Sequence, residues 1–347
     1  MKKKKNIKIF LPSEKVNRKL PNNIKNGDKV LFERELEKEF PEVCLYYLEN
    51  VSFCGSGLLL KKGRIYFKFF YPYNFFSLKE LVLRTIVSFL SIFLKFFPEK
   101  YSNGLYVIDN FSGSFFHWFG DVLQRMESLS LKRIFSDGTR YFVFLPDTPF
   151  FRKMSCLLRV YPVDIVFVKV FERVLCRNLI VVPPVAPTGN YRPEIIQSLK
   201  RRILSFFKFT NEKGRRKIYI SRRKALKRKI LNEEDLYPLL EKMGFEIVYM
   251  EDLSLDEQIK MATESEIMIG LHGAGLIHML WMPKDSKVVE LRKENDMTNN
   301  CFYALANALD LEYYYFLVNA VKDGPTQDVD FFINVESFEK FLFFLLN

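Results

Sequence analysis

Short apolar runs of strand length alternate with amphipathic stretches along most of the chain, and the alternation sharpens in its second half. Before the midpoint, Val43–Val51 and Gly57–Phe67 read as strands, the second broken by a Lys61-Lys62-Gly63 turn. Leu105–Asp109, Tyr141–Leu145, Asp164–Val168 and Leu179–Val182 are further short strands, and Ser114–Leu129 carries helical spacing. A cluster of proline and glycine, Pro183-Pro184-Val185-Ala186-Pro187-Thr188-Gly189, is the candidate linker. Beyond it, Lys217–Ile220, Phe245–Met250, Glu266–Gly270, Lys287–Leu291 and Leu311–Phe316 read as strands. Helices fall between them: a basic amphipathic one at Arg192–Lys208, one capped by Asn232 and ended by Gly244 with Pro238 inside it, and one opened by the capping box Ser254-Leu255-Asp256-Glu257 and running to Thr263. Gly273–Trp281, Thr298–Leu309 and the terminal Val335–Leu346 complete the set. Connections this short predict an α/β protein whose parallel sheets are covered on both faces. The expected division is a basic tail at 1–26, a first domain at 27–186, a second at 187–336 and a terminal helix at 337–347.

Composition supports two domains, since 347 residues at 48% hydrophobic content hold enough apolar surface for two cores. A net charge of +12 points to anionic partners: phosphorylated sugars, nucleic acid or an acidic membrane surface. Part of that excess, Lys2 to Lys5, reads as a solvated tail. Five scattered cysteines without a C-x-x-C pair suit a reduced, cytoplasmic protein. The basic start reaches Pro12, Ser13, Glu14 and Lys15 before an apolar segment of signal length forms, so no secretion signal is read. Leu81–Phe97 is the most hydrophobic window, but Arg84 and Lys95 argue against a membrane span. Its mixture of aromatic and basic residues fits a helix lying on a membrane surface, with a buried helix as the commoner explanation.

The most informative stretch is Ile267-Met268-Ile269-Gly270-Leu271-His272-Gly273-Ala274-Gly275-Leu276, an apolar strand running into a small-residue turn that opens a helix. Gly273 and Gly275 allow close approach of the backbone, and the free N–H groups of a first helical turn favour an anion such as phosphate. In an open parallel sheet, ligands sit beyond the carboxyl ends of strands, and Ser221-Arg222-Arg223 and Glu251-Asp252 fall at such ends too. Arginine bonds of about 1.5–3 kcal/mol each, with about 0.3–1 kcal/mol from the helix start, suffice to grip a diphosphate. Lys224, Lys227 and Arg228 read as a solvated continuation of the loop. Glu290, at the end of the next strand, is a ribose or donor-sugar contact or else a surface carboxylate. Of the three histidines, His117 lies four residues before Asp121 on one helical face, which suits a general base or a bonded polar pair. His278 reads as a structural histidine. No metal is expected, because no His/Cys group has ligand spacing and Asp328-Val329-Asp330 sits in a polar loop. P-loop and nucleophile-elbow patterns are absent, and Ser112-Gly113-Ser114 reads as a helix cap.

Four segments in order resemble glycosyltransferase family 61: Phe115-Phe116-His117-Trp118-Phe119-Gly120-Asp121, Ile218-Tyr219-Ile220-Ser221-Arg222-Arg223, Leu255-Asp256-Glu257-Gln258-Ile259 and Ile269 to Leu276. The resemblance runs from about Leu105 to Phe316 and implies a GT-B architecture, two Rossmann-like domains facing across a cleft. It implies inverting transfer from a nucleotide sugar, uridine diphosphate-linked by analogy, to a glycan or lipid-linked glycan acceptor, without a metal or other cofactor. The donor residues it implies are Ser221, Arg222, Arg223, Glu257, Gln258, His272, Gly273, Ala274 and Gly275, with Glu290 added from the strand pattern. His117 and Asp121 match the acceptor-side motif, either one serving as base. The chain departs from the family pattern at His278, where asparagine is frequent, and at Gln124, where proline often sits. Cysteine usage makes the cytoplasm the expected place, and a surface helix at Leu81–Phe97 would suit a lipid-linked acceptor by holding the protein at the inner face of the membrane. Nucleic acid is not expected as a partner. The rival reading is a non-catalytic basic protein that binds nucleic acid or anionic membrane.

Overall fold

The apolar runs become the strands of two principal sheets and the amphipathic stretches pack on them, in a computed structural model that describes residues 7–55, 59–61, 64–65, 86, 90, 98–210 and 214–347. The chain divides into two compact units. The first comprises residues up to Glu14 and Phe40–Thr188; the second comprises Lys15–Glu39 and Gly189–Asn347. The proposed surface helix Leu81–Phe97 lies outside the described residues except for Ile86 and Leu90. Among the described residues no helix is long and apolar enough to cross a membrane.

The chain opens with β1 (Ile7–Leu11), and β2 (Glu14–Asn17) pairs with β3 (Glu37–Phe40) as a two-stranded ribbon. In the first unit β4 (Val43–Cys54) is the longest strand, followed by β5 (Leu59–Lys61), β6 (Arg64–Ile65), β7 (Glu99–Tyr106), β8 (Tyr141–Pro146), β9 (Val163–Val168) and β10 (Arg173–Val181). Their order is β6-β5-β4-β10-β7-β8-β9, with β1 added to β4. Strands β10, β7, β8 and β9 run parallel, whereas β4 is antiparallel to β1, β5 and β10. This sheet is therefore mixed rather than wholly parallel. Strands β4, β5 and β6 follow one another within a few residues, too few for the crossover that parallel pairing needs, so each neighbour has to reverse.

The second unit holds β11 (Arg216–Ile220), β12 (Phe245–Val248), β13 (Ser265–Leu271), β14 (Lys287–Lys293), β15 (Glu312–Ala320) and β16 (Phe331–Phe332), in the order β12-β11-β13-β14-β15-β16. The first five are parallel and only β16 is antiparallel. Ile218, Ile269, Val288, Val289 and Leu291 are fully or almost fully buried, as expected of strands covered on both faces. The helix Pro193–Phe207 buries Ile195, Ile196, Leu199 and Ile203, one stripe at helical spacing, and ends at Lys208 in the left-handed region. Chain direction reverses its spatial order between β11 and β13, which makes the carboxyl ends of those two strands the switch point of the sheet.

Local signals explain most boundaries. The capping box at Ser254 and Glu257 forms with both of its bonds, and Asn334 caps the terminal helix Val335–Leu346 by accepting from the Ser337 N–H. Asn232 does not cap. Its side chain bonds both backbone groups of Ile333, so the segment opens as a 3-10 turn at Glu233–Leu236 and the α-helix is only Tyr237–Lys242. Pro238 falls in that helix's first turn, where its missing N–H costs nothing.

The basic start is not a free tail over its described part. β1 lies on β4, and residues 15–39 belong to the second unit, where Asn22 and Asn23 cover an edge of β15. Asn22 N–H donates to the Tyr313 carbonyl at 2.9 Å. The Asn23 amide donates to the Tyr315 carbonyl at 2.7 Å and accepts from its N–H at 3.1 Å, imitating one rung of a strand. An uncovered edge invites pairing with another chain, so this strap protects the sheet. Asn23→Ala removes both bonds and is expected to cost about 1–3 kcal/mol, read as a lower urea midpoint; an unchanged midpoint would show that the strap contributes nothing.

His278, on the 3-10 helix Ala274–Trp281, is 1% exposed, and burial lowers its pKa to about 3. The folded form thus resists a proton that the unfolded chain accepts near pH 6.5. Stability is unaffected by this group above about pH 6.5 and is lost as pH falls from there toward 3. His278→Asn is expected to flatten that part of the stability profile, measured by urea titrations at pH 7 and pH 4.5; equal slopes for both proteins would refute it.

Candidate functional site

At the switch point of the second sheet, β11 delivers Ser221 and Arg222 into a loop held from below by one carboxylate. Glu233, 3% exposed, accepts from the Tyr219 hydroxyl at 2.9 Å, the Arg222 N–H at 2.8 Å and the Ser221 hydroxyl at 3.2 Å. Burial, followed by the charge of Glu233, raises the Tyr219 phenol well above its ordinary range, so it remains a donor. The loop then folds back on itself. The Arg222 guanidinium donates to the Lys227 carbonyl at 2.7 Å and the Arg228 carbonyl at 3.2 Å, and Arg228 donates to the His272 carbonyl at 2.8 Å.

Both guanidinium groups converge on Gly273. A Cβ built there would lie 3.3 Å from an Arg222 nitrogen and 3.6 Å from an Arg228 nitrogen. The φ of Gly273 is extended, so the glycine is needed for space beside these cations and not for a left-handed turn. Gly275 has a different reason: a Cβ would press to 3.1 Å on the Ile220 side chain, so this glycine seats the turn against β11. Burial lowers the pKa of both arginines, and the charge of Arg222 lowers that of Arg228 further, with Glu251 and Glu233 near the first and Asp328 near the second offsetting only part of this. Two half-buried like charges bonded to neutral carbonyls repel each other, and an anion placed between them would relieve the cost.

His272 closes the other side of the switch point. Its Nδ1 lies 2.5 Å from Glu290 Oε1, and the Tyr313 hydroxyl donates to Glu290 Oε2 at 2.5 Å. Glu290 is fully buried with both oxygens engaged, so neither sequence reading, sugar contact or surface carboxylate, describes where it sits. It supports His272 from within β14. Phe302 meets the imidazole edge-on at 5.2 Å.

The other predicted donor residues are placed differently. Arg223 is half-exposed and pairs with Glu234. Glu257 spends its carboxylate on the Ser254 N–H at 2.8 Å and hydroxyl at 2.6 Å, bonds that lower its pKa. Gln258 is buried and donates to the Met250 and Leu253 carbonyls at 2.7 and 3.1 Å, fixing the loop that follows β12. Ala274 opens the 3-10 helix after the turn. Arg228, read from sequence as solvated, is the residue that reasoning missed. It sits in a run of lysines and arginines from 222 to 229, and only the folding back of the loop singles it out.

In the first unit, His117 and Asp121 follow β7, which is flanked by β10 and β8. The helix Phe115–His117 widens into a π turn at Trp118–Val122 before continuing as Leu123–Leu131. Such insertions concentrate at functional sites. His117 Nδ1 is 2.7 Å from Asp121 Oδ2, and the ring stacks on Phe111 with centroids 5.1 Å apart. Asp121 is almost fully buried while the His117 side chain is 20% exposed, so the histidine is the member of the pair open to an incoming group. The approach loop is fixed by Arg125, which donates to the Val107 carbonyl at 2.7 Å and pairs with Asp109. Burial opposes charge on Asp109, but Arg125 and the Phe111 and Ser112 donors prevail and hold its carboxyl below the usual range. Gln124 donates to the Gly120 carbonyl inside the π turn.

Comparison with known proteins matches this stretch of chain. The family described as Glycosyltransferase 61 matches residues 115–289, from the helix of His117 to the strand of Glu290. The chain is similar to the EGF domain-specific O-linked N-acetylglucosamine transferase of Drosophila melanogaster, 36% identical over 98 residues that cover 27% of this chain and 18% of the relative. Its counterparts in Gallus gallus and Mus musculus are 29% and 28% identical over 134 residues, 36% of this chain and 25% of each relative. These matches thus span a quarter or less of the relatives' length. With the family match covering half of the chain, from His117 and Asp121 through Arg222, Arg228 and the 272–275 turn, the protein belongs to the glycosyltransferase 61 family.

Proposed function

We propose that the protein is an inverting glycosyltransferase that moves a sugar from a nucleotide-sugar donor to a glycan or lipid-linked glycan acceptor. The observation that carries this reading is the convergence of Arg222 and Arg228 on Gly273 at the sheet's switch point. The second unit binds the donor and the first presents the acceptor, the division of labour of a GT-B transferase. Uridine diphosphate is the nucleotide suggested by family analogy, and the names of the relatives make N-acetylglucosamine the first sugar to test. Synthesis of a bacterial capsular or other surface polysaccharide at the inner face of the membrane is the setting that suits such an acceptor.

In the reaction, the acceptor hydroxyl attacks the anomeric carbon as the bond to the diphosphate oxygen breaks, and the hydroxyl proton passes to the base. Asp121 or His117 takes that proton, the pair being joined so that charge gained by one is met by the other. The departing diphosphate gathers negative charge, which Arg222, Arg228 and the turn after β13 stabilise in a partly desolvated setting. Two guanidinium groups supply the neutralisation that a divalent metal provides elsewhere, so the reading is metal-independent.

A panel of nucleotide sugars screened by thermal shift tests the proposal, because a true donor raises the melting temperature by mass action. Arg222→Ala and Arg228→Ala are each expected to weaken nucleoside diphosphate binding by about 10- to 100-fold, the worth of a charge-assisted bond. Arg223→Ala, which removes an exposed pair, should change it by less than about fivefold. Equal losses from all three would mean a diffuse basic surface instead of a site. His117→Ala and Asp121→Ala should lower turnover by about 10²- to 10⁴-fold with donor affinity preserved, and loss of donor binding or of folding in both would sink the base assignment.

A further inference from the structure

We propose that diphosphate binding at this site takes up a proton on His272, and that Glu290 is the positioning residue that makes this possible; the proposal rests on the phosphate reading given above. An ionised carboxylate can only accept, so the bond between Glu290 Oε1 and His272 Nδ1 commits the Nδ1 proton to Glu290. The neutral ring then carries a lone pair at Nε2, which can accept a hydrogen bond but cannot give one to a phosphate oxygen. Nε2 has no hydrogen bond to protein among the described residues, and the side chain keeps 8% of its exposure. The ring's free nitrogen is therefore available to solvent or ligand while its other nitrogen is fixed.

The groups facing His272 from each neighbouring element set the balance; on the helix Cys301–Ala308, which packs Phe302 against the ring, the Cys301 thiol is held neutral chiefly by burial beside Glu290 and Arg228. Glu290 on β14 favours a positive ring, Tyr313 on β15 holds the second oxygen of that carboxylate as a donor, and Arg292 lies close enough to act on both Glu290 and Tyr313. From the loop after β11, Arg228 bonds the His272 carbonyl, and Arg222 stands beside Gly273; both oppose a third positive charge. An arriving diphosphate reverses that opposition, since the two arginines are then matched by the ligand and the ring gains an anion at Nε2. A solvent proton adds to the Nε2 lone pair, and the imidazolium donates that N–H to a phosphate oxygen while Nδ1–H remains on Glu290. Glu290 thereby acts through His272 without touching the ligand.

The test is calorimetric titration of the full chain with inorganic pyrophosphate in buffers of different ionisation enthalpy, between pH 6 and pH 8, for the wild type, His272→Gln and Glu290→Gln. The probe's own titration is common to every protein, so differences between variants report His272. The wild type is expected to take up more protons than His272→Gln at neutral pH, with affinity falling as pH rises. Glu290→Gln removes the charge that favours the imidazolium and is expected to reduce proton uptake and to weaken binding at neutral pH by about tenfold. Glu290→Asp, which keeps the charge but draws it back from the ring, provides a second, milder variant if Glu290→Gln does not fold, and should change proton uptake in the same direction. Equal proton uptake in wild type and His272→Gln overturns the proposal while leaving phosphate binding intact. Failure of the wild type to bind pyrophosphate overturns the phosphate reading itself.

Discussion

Two half-buried guanidinium groups share one glycine, and most of what is distinctive in this chain serves to keep them there. Like charges at close range in a partly desolvated setting separate unless something holds them. Here neutral carbonyls do the holding: Lys227 and Arg228 for one guanidinium, His272 for the other. Carbonyl dipoles orient a cation without cancelling its charge, whereas a carboxylate partner would leave little field for a ligand. The contrast lies one residue away, where Arg223 is paired with Glu234 and exposed. Adjacent arginines of the same loop are thus spent on different tasks.

The sheet makes this arrangement possible. With β11 and β13 as neighbours, the loops leaving their carboxyl ends meet at the switch point, the place where open parallel sheets form their ligand crevice, and Arg228 ties one loop to the other through the His272 carbonyl. Gly270 and Gly275 let the turn after β13 settle tightly, since a Cβ at either would press to 3.1 Å on Leu276 or Ile220. The turn is therefore placed by packing against the core, and the arginine loop is placed by bonds to the turn. Errors in the core would propagate directly into the spacing of the cations.

How much of this could be read in advance depends on whether a signal is local. The capping box at Ser254 and Glu257, the terminal helix from Val335 and the pairing of His117 with Asp121 are fixed by residues three or four positions apart, and spacing exposes them. Strand positions in the second unit are similarly legible, because burial on both faces writes continuous apolar runs. What escaped notice involves long-range pairing. Arg228 looks like its basic neighbours until its bond to His272, 44 positions away, is known. Glu290 resembles a strand-end carboxylate until Tyr313 and His272 are seen to enclose it. Residues 15–39 carry no periodicity that points to the second unit; their place comes from Asn22 and Asn23 meeting β15 almost 300 positions later.

The two sides of the crevice rest on the same construction. Glu233 and Glu290 are both buried, each accepts from a tyrosine on a strand of the sheet, Tyr219 and Tyr313, and each also holds the start of a site loop, Glu233 through the Ser221 hydroxyl and Arg222 N–H and Glu290 through His272 Nδ1. A buried carboxylate is costly, and an apolar residue of equal volume often serves the core as well or better. Its advantage here is directional. An apolar side chain would fill the space but leave the Arg222 N–H and the imidazole without an acceptor, free to turn. The carboxylates therefore exchange some stability for loop positions that packing alone does not specify, Glu233 from the 3-10 turn beside β11 and Glu290 from β14. That placement makes the anion site an extension of the sheet's interior rather than a decoration of its edge.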